Sequence, residues 1–423
     1  MRAIIIGNSV AGIAGAEAFR SIDDTSELTL ISREPYRAYS RPLITYYLAG
    51  KVDEQKMYLR KPDFYDGLGI QTILGREVSK VNAGAHTISL DNGEQLPFDR
   101  LLIATGGVPF VPKIDNLAGK RFFTFTTWDD AKRVKELVPG VRHAVVLGGG
   151  LIGIKVAEAL NLLHVKTTVV ELADRILSPA LDTRASAMMR TAMENAGIDV
   201  YTQETVASVD GHGEQVKRVD LRSGKSLPCD LLIVAIGVVP NIAMVGGSGI
   251  ATNRGIIIDD HMRTSVDGVY AAGDVAEGHD TLLGSTRVIP IWPSAYHQGH
   301  TAGRNMAGVE SVFSRHFAMN SVEINGTCVI SVGLSTIEQG DYEILASHDP
   351  LKNEYRKIVI KDDLIVGAVF VNAIDRAGIV TGLIKDRINV RNFKDALSSN
   401  DFGYISLPRD LRKSRLETLG AKQ

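Results

Sequence analysis

Two stretches of this chain carry the same succession: an apolar strand, a glycine-rich turn, a helix of small residues, and a second apolar strand with an acidic residue close behind it. The first runs Ile4-Ile5-Ile6-Gly7-Asn8-Ser9-Val10-Ala11-Gly12 and returns at Leu28-Thr29-Leu30-Ile31. The second runs Ala144-Val145-Val146-Leu147-Gly148-Gly149-Gly150-Leu151-Ile152-Gly153 and returns at Thr168-Val169-Val170-Glu171. At the start of a helix the backbone N–H groups lack partners and the helix dipole is positive, so a turn without side chains there admits a pyrophosphate. A repeated unit of this kind predicts a doubled parallel α/β dinucleotide-binding architecture.

Each unit is followed by a further apolar strand and a small-residue turn, Leu101-Leu102-Ile103-Ala104-Thr105-Gly106-Gly107 and Leu231-Leu232-Ile233-Val234-Ala235-Ile236-Gly237. A third strand, Val269-Tyr270-Ala271-Ala272-Gly273-Asp274, precedes a helix from about Ser294 to Met306. Beyond Ser314, Tyr355 to Ile360 and Ile365 to Val371 read as antiparallel strands joined through Asp362-Asp363. A chain of 423 residues exceeds one hydrophobic core. The expected fold is α/β, with two interleaved Rossmann-like domains and a C-terminal α+β interface domain. Residues 1–113 and 243–314 form one dinucleotide-binding domain, 114–242 the second, and 315–423 the interface domain.

In the second turn Gly148, Gly150 and Gly153 supply the tight bend, the open face and close helix–strand packing. Glu171 lies 23 positions beyond Gly148, near the spacing of about 20 at which an acid meets the adenosine ribose. A carboxylate there accepts from both ribose hydroxyls and repels a 2′-phosphate, which favours NAD; Arg175 nearby argues the other way. The first turn is less regular, with Ser9 at the middle glycine position and Ser32 at the strand-end acid position, Glu34 being the nearest substitute. By itself this turn also fits a packed strand–helix corner.

The formal charge of -2 gives no case for nucleic acid or an anionic membrane. Two cysteines, Cys229 and Cys328, without a CxxC pair support neither a disulfide framework nor a chain-borne iron–sulfur cluster, and fit a reducing cytoplasm. Arg2 and the apolar residues after it superficially resemble a secretory signal, but the run breaks at Gly7. No stretch reaches the roughly 18 apolar residues of a membrane helix. The longest, Leu231 to Val239, suits a buried strand.

With Ala104-Thr105-Gly106-Gly107, Ala235-Ile236-Gly237 and Ala271-Ala272-Gly273-Asp274 ordered around the two turns, residues 1 to 390 resemble the pyridine-nucleotide flavoprotein reductases, the superfamily of glutathione reductase. The resemblance implies that the first unit holds FAD, the inserted second unit NAD(H), and that Gly273 and Asp274 contact pyrophosphate and ribityl. Glu34-Pro35-Tyr36 through Tyr39-Ser40-Arg41-Pro42-Leu43 resembles the segment that wraps FAD in rubredoxin, ferredoxin and nitrite reductase flavoproteins, with Arg41 at the pyrophosphate. Trp292, Ala295, Gln298 and Gly299 resemble the helix entry that meets the pyrimidine end of the flavin. The implied FAD contacts also include Gly7, Ser9, Val10, Ala11, Gly12, Pro42, Val78, Ala104, Thr105, Gly106 and Ser294. For NAD(H) they are Gly148, Gly150, Leu151, Ile152, Gly153, Glu171, Ile236 and Gly237. His297 and His300 have a metal-compatible spacing without a third ligand, so packing is the preferred reading and no metal is expected.

The departures from the family are informative. Where disulfide reductases carry redox cysteines this chain has Leu43, Ile44 and Thr45. Where relatives carry Glu two residues after the last turn glycine, paired with a Lys of the wrapping segment, this chain has Lys155 and Tyr46. The joint change reads either as a cation kept beside the flavin or as a solvated helix lysine. Lys155, Tyr46 and Trp292 are the catalytic candidates. The expected activity is hydride transfer from NADH to FAD, with electrons leaving to an external acceptor. A small acidic redox protein such as rubredoxin or a ferredoxin, or an iron–sulfur subunit, would take them. The alternatives are an NADH oxidase, a quinone or small-acceptor reductase, and a non-catalytic NADH-sensing flavoprotein. A homodimer through the C-terminal domain is the oligomer such a domain would form. Residues 381–423 are rich in Lys385, Arg387, Arg391, Lys394, Arg409, Arg412, Lys413 and Arg415, which read either as a steering patch for an acidic carrier or as solvated helix faces.

Overall fold

The computed structural model describes residues 1–314, 316–399 and 401–413. The first apolar strand, Arg2–Ile6, lies inside a five-stranded parallel sheet ordered Val269–Ala271, Arg100–Ile103, Arg2–Ile6, Glu27–Ser32, Ile70–Leu74. Parallel sheets bury both faces, which is why these strands are continuous apolar runs: Ile4, Ile5 and Ile6 are at most 5% exposed. The second unit builds a four-stranded parallel sheet ordered Asp199–Tyr201, Lys166–Val170, His143–Leu147, Leu231–Val234.

The duplication extends beyond the turns. A three-stranded antiparallel ribbon at Val78–Asn82, Thr87–Leu90 and Gln95–Pro97 precedes Arg100–Ile103, and its counterpart at Val206–Asp210, Arg218–Leu221 and Ser226–Pro228 precedes Leu231–Val234. The apolar run from Leu231 to Val239 is not one strand. It breaks at Gly237, whose φ of 116° leaves the strand region, and resumes as Val238–Pro240, antiparallel to Gly107–Pro109. That pair forms a double linker where the chain leaves the first unit and re-enters it.

The helices Val10–Arg20 and Trp292–Met306 pack backbone to backbone. A Cβ on Gly299 would come within 2.1 Å of the Ala11 carbonyl oxygen, and one on Gly303 within 2.1 Å of that of Gly15. The contact brings the starts of both helices to the same edge of the first sheet. Beyond it, an antiparallel sheet ordered Met319–Ile324, Thr327–Gly333, Leu364–Val371, Glu354–Lys361, Glu343–Asp349 is covered by the helix Ala377–Lys385. Asp362 and Asp363, with φ of 51° and 57°, make its expected tight turn. The resulting architecture is the expected one: two dinucleotide-type α/β units and a C-terminal antiparallel α+β unit.

Candidate functional site

The two glycine turns open onto one cleft of about 1350 Å³, which also takes in the C-terminal sheet at Ser321, Val322, Glu323 and Cys328. Its ends are built alike. Gly7 has φ 121° and Gly148 φ 117°; a Cβ on either would meet a backbone carbonyl, Ala104 O at 2.1 Å and Ala235 O at 2.4 Å. The middle position differs. Gly150 has φ -77° and no atom within 4 Å of a built Cβ, and Ser9 at the matching place has φ -111°. A side chain fits there without strain, which explains why serine stands in the first turn. Neither Ser9 nor Gly150 caps its helix with a side-chain bond, so among the described residues no cap side chain competes with a ligand for the first-turn N–H groups.

Around the first turn, Ser9, Val10, Ala11, Val78, Ala104, Thr105, Gly106, Gly273, Asp274, Trp292 and Ala295 line the cleft. Burial pushes the Asp274 carboxyl up in pKa and Arg41 opposes it; among the described residues no donor reaches it. Gly12 and Gly153 do not line the cleft. Each packs helix against turn, with a built Cβ at 1.9 Å from Gly7 O and 2.0 Å from Gly148 O. Ser294 is 4% exposed and also stays outside. Gln298 and Gly299 likewise depart from expectation: Gln298 accepts from the Gly273 N–H at 2.7 Å, and Gly299 is the helix–helix contact. Gln298 thus holds the Gly273-Asp274 turn in place and Gly299 seats one helix on the other, and neither lines the cleft.

The segment after Glu34 forms one wall together with Pro42. Arg41 is ion-paired with Glu34 and donates to the Thr126 carbonyl at 2.6 Å. The Tyr39 hydroxyl donates to Glu34 at 2.5 Å and accepts from the Trp128 N–H at 3.0 Å. Trp128, 1% exposed, packs between Tyr36 at 5.2 Å, Tyr39 at 5.3 Å and Tyr58 at 5.5 Å. Tyr36 donates to Asp129 at 2.5 Å, and that bond holds its phenol up to about 12. This wall ties the first unit to the helix Trp128–Leu137 of the second.

On the other side, Glu171 stands at the end of Lys166–Val170, accepting from the Gly149 N–H at 2.6 Å and the Ala173 N–H at 2.7 Å. Arg175 is turned away, bonded to Asp174 at 2.9 Å and to the Leu181 carbonyl at 3.3 Å. Leu151, Ile236 and Gly237 complete this end. Four large apolar side chains exposed at the molecular surface, Phe110, Ile152, Leu172 and Ile236, line the cleft. An apolar surface of this kind marks a ligand site.

Between the two ends, Lys155 and Tyr46 do meet, with the ammonium 5.1 Å from the ring centre. The lysine is not a bare cation: it is ion-paired with Glu158 and donates to the Glu323 carbonyl of the C-terminal sheet at 3.0 Å. Sequence patterns gave no sign of Glu323 or Cys328 here, since both arrive from a separate unit. Cys229 is 1% exposed and burial pushes its thiol up to about 12.

His297 packs on Phe313 at 5.2 Å and on Tyr296 at 5.5 Å. Among the described residues no group of His, Cys, Asp and Glu could hold a metal, and no helix is long and apolar enough to cross a membrane. In the basic C-terminal segment, Arg391 pairs with Asp363 at 2.6 Å and Lys394 with Glu343 at 2.6 Å, so their charge is locally balanced. Arg415 lies outside the described residues.

Residues 1–299 match the family model of pyridine nucleotide-disulphide oxidoreductases, and residues 319–388 that of the rubredoxin NAD+ reductase C-terminal domain. The chain is 29% identical to the epsilon subunit of NADH-dependent phenylglyoxylate dehydrogenase from Aromatoleum evansii, over 94% of each chain. It is 25% identical to a rubredoxin-NAD(+) reductase from Pseudomonas putida, over 91% of this chain and 99% of that one. Among solved structures it resembles the reductase in a covalent putidaredoxin reductase–putidaredoxin complex, with TM-score 0.84 and 26% identity over 92% of this chain and 94% of that one.

Proposed function

The chain belongs to the pyridine nucleotide-disulphide oxidoreductase family, and we propose that it takes electrons from NADH and delivers them to a small redox protein of rubredoxin or ferredoxin type. Its cofactors are FAD and NAD(H). The observation that carries the proposal is the single cleft joining both glycine turns, because hydride transfer needs two dinucleotides held face to face. Uncapped helix-start amides at both turns, a carboxylate without a donor at Asp274, and apolar surface at Phe110 and Ile236 fit the two ligands.

When bound, the cofactors supply hydride transfer from nicotinamide C4 to flavin N5. Binding and orientation fall to the protein. The first-turn amides of Val10–Arg20 and Leu151–Leu162 would hold the pyrophosphates, and Asp274 would accept from hydroxyls on the flavin side. Glu171 would accept from the adenosine ribose. Arg41, steadied by Glu34, would complement pyrophosphate charge, while the Tyr36–Tyr39–Trp128 wall keeps water out. Lys155, Tyr46 and Trp292 would border the reacting rings. In this reading residues 1–113 and 243–314 bind FAD, 114–242 bind NAD(H), and 315–423 cover the cleft. Cys229 is buried, Cys328 in the cleft wall has no second cysteine to pair with, and none stands at Leu43 to Thr45; without a redox cysteine pair, electrons in this reading go to an external carrier, and a cytoplasmic setting suits the unpaired thiols.

The decisive experiment is steady-state turnover of the FAD-loaded protein with NADH and a rubredoxin, beside oxygen and a quinone as sole acceptors. Carrier reduction far above the other two supports the proposal. Turnover of oxygen or quinone at tens per second, about the rate of an enzyme on its own substrate, overturns it. A second reading, an electron-entry subunit of a larger iron–sulfur complex, is favoured by the full-length match to a dehydrogenase epsilon subunit.

A further inference from the structure

The exposed face of the helix Trp292–Met306 begins at the cleft and carries aromatic and basic groups. Trp292 lines the cleft, and Tyr296, 39% exposed, stands one turn further out. At a rise of about 1.5 Å per residue, that is roughly 6 Å along the axis. Tyr296 lies 5.5 Å from the His297 ring and stacks on His300 at 6.3 Å. Lys385, from the helix Ala377–Lys385, lies within electrostatic reach of His297, and Arg304 and Glu17 within reach of His300. Glu17 is neutralised by Arg60 at 2.6 Å, and Arg60 also lies near Tyr296. Lys385 and Arg304 have no ion-pair partner among the described residues.

We propose that this face is the docking surface for an acidic redox protein, and that its two histidines make docking tighter as pH falls. The inference rests on the acceptor assigned above and adds where that acceptor sits. An aromatic centre within a cationic rim suits a small, transient, electrostatically guided encounter, and its position brings the carrier within a helical turn of the cleft wall. Charge complementarity selects an acidic protein. In the free protein, burial lowers the pKa of His297, helped by Lys385 and His300; burial and Arg304 lower that of His300 against Glu17. Both are therefore neutral near pH 7. Carboxylates of a docked partner raise those values, so docking takes up protons, and affinity falls as pH rises through the bound-state values.

The test uses the FAD-loaded protein and a zinc-substituted rubredoxin of net negative charge, which binds without accepting electrons. Kd is read by NMR titration at about pH 6 and 8, at about 0.05 and 0.3 M salt. For the wild type, Kd should weaken both with salt and at the higher pH. The double variant Arg304→Gln/Lys385→Gln should weaken it by about fivefold at low salt, with the flavin spectrum unchanged. His297→Gln/His300→Gln should abolish the pH difference, and Lys352→Gln, on a distant turn, should bind as wild type. A charge variant that binds like wild type, or a pH difference that survives in the histidine variant, overturns the docking face alone. If the wild type reduces ferricyanide but neither binds nor reduces rubredoxin, the acceptor reading falls and the face falls with it.

Discussion

The ammonium of Lys155 lies 5.1 Å from the centre of the Tyr46 ring, linking the helix Leu151–Leu162 to the short helix Ile44–Leu48 across two units of the fold. Glu158 supplies its counter-charge and the Glu323 carbonyl its third contact. One side chain thus touches all three units.

Because Lys155 and Glu158 form a neutral pair beside the cleft, single and double substitutions should shift the flavin potential in opposite senses. Lys155→Gln leaves an uncompensated carboxylate beside the cleft and should lower the midpoint potential of a flavin bound as proposed, while Glu158→Gln should raise it. The double variant should return close to wild type. Dye-equilibrated reductive titration reads all three; a double variant displaced as far as either single one would show that the pair does not act as a unit.

Glu171→Ala should narrow the preference for NADH over NADPH. Hydrogen bonds to a charged group contribute about 1.5–3 kcal/mol, so the NADH KM should rise roughly tenfold or more. NADPH should gain little, since Arg175 is engaged by Asp174 and the Leu181 carbonyl. Stopped-flow flavin reduction with each nucleotide measures this, and equal efficiencies in the wild type would remove Glu171 from the specificity role.

Asp182 and Lys357 form an ion pair at 2.7 Å with side chains 1% and 3% exposed, joined by the Tyr355 hydroxyl donating to Asp182 at 2.8 Å. They fasten the helix Thr183–Asn195 to the C-terminal sheet. Lys357→Met strands a buried carboxylate and should cost about 3–5 kcal/mol. Urea unfolding of the holoprotein checks it; a loss below about 1 kcal/mol, the level of an exposed pair, would mean that the pair is hydrated in solution.

Thiol labelling should distinguish the two cysteines. A thiolate is the reactive form, and burial holds Cys229 at about 12, whereas Cys328 is partly exposed. Near pH 8 the native protein should take up a disulfide reagent at Cys328 alone, and the denatured protein at both positions. Rapid native labelling of Cys229 would contradict its packing in the second unit.

The sequence by itself determined the parts whose causes are local. Strand, glycine turn and helix follow one another within a dozen residues, so the two dinucleotide units, the Glu171 position, the Asp362-Asp363 turn and the helix ending at Met306 could be read directly. Ser9 looked irregular because a motif records residue types, whereas the backbone imposes only a φ that serine also adopts. Packing decided the rest. Gln298, Gly299 and Ser294 lie on a helix whose rotation about its axis is fixed by contact with Ala11 and Gly15, and that rotation turns them away from the cleft. Arg391 and Lys394 read as free charge until the sheet brought Asp363 and Glu343 beside them. Lys155 meets Glu323, and Cys328 reaches the cleft wall, because the C-terminal unit covers the cleft, and Asp182 meets Lys357 for the same reason. Such contacts depend on how three separately formed surfaces fit together, and residues more than a hundred positions apart leave no periodicity or spacing by which one sequence could disclose their meeting.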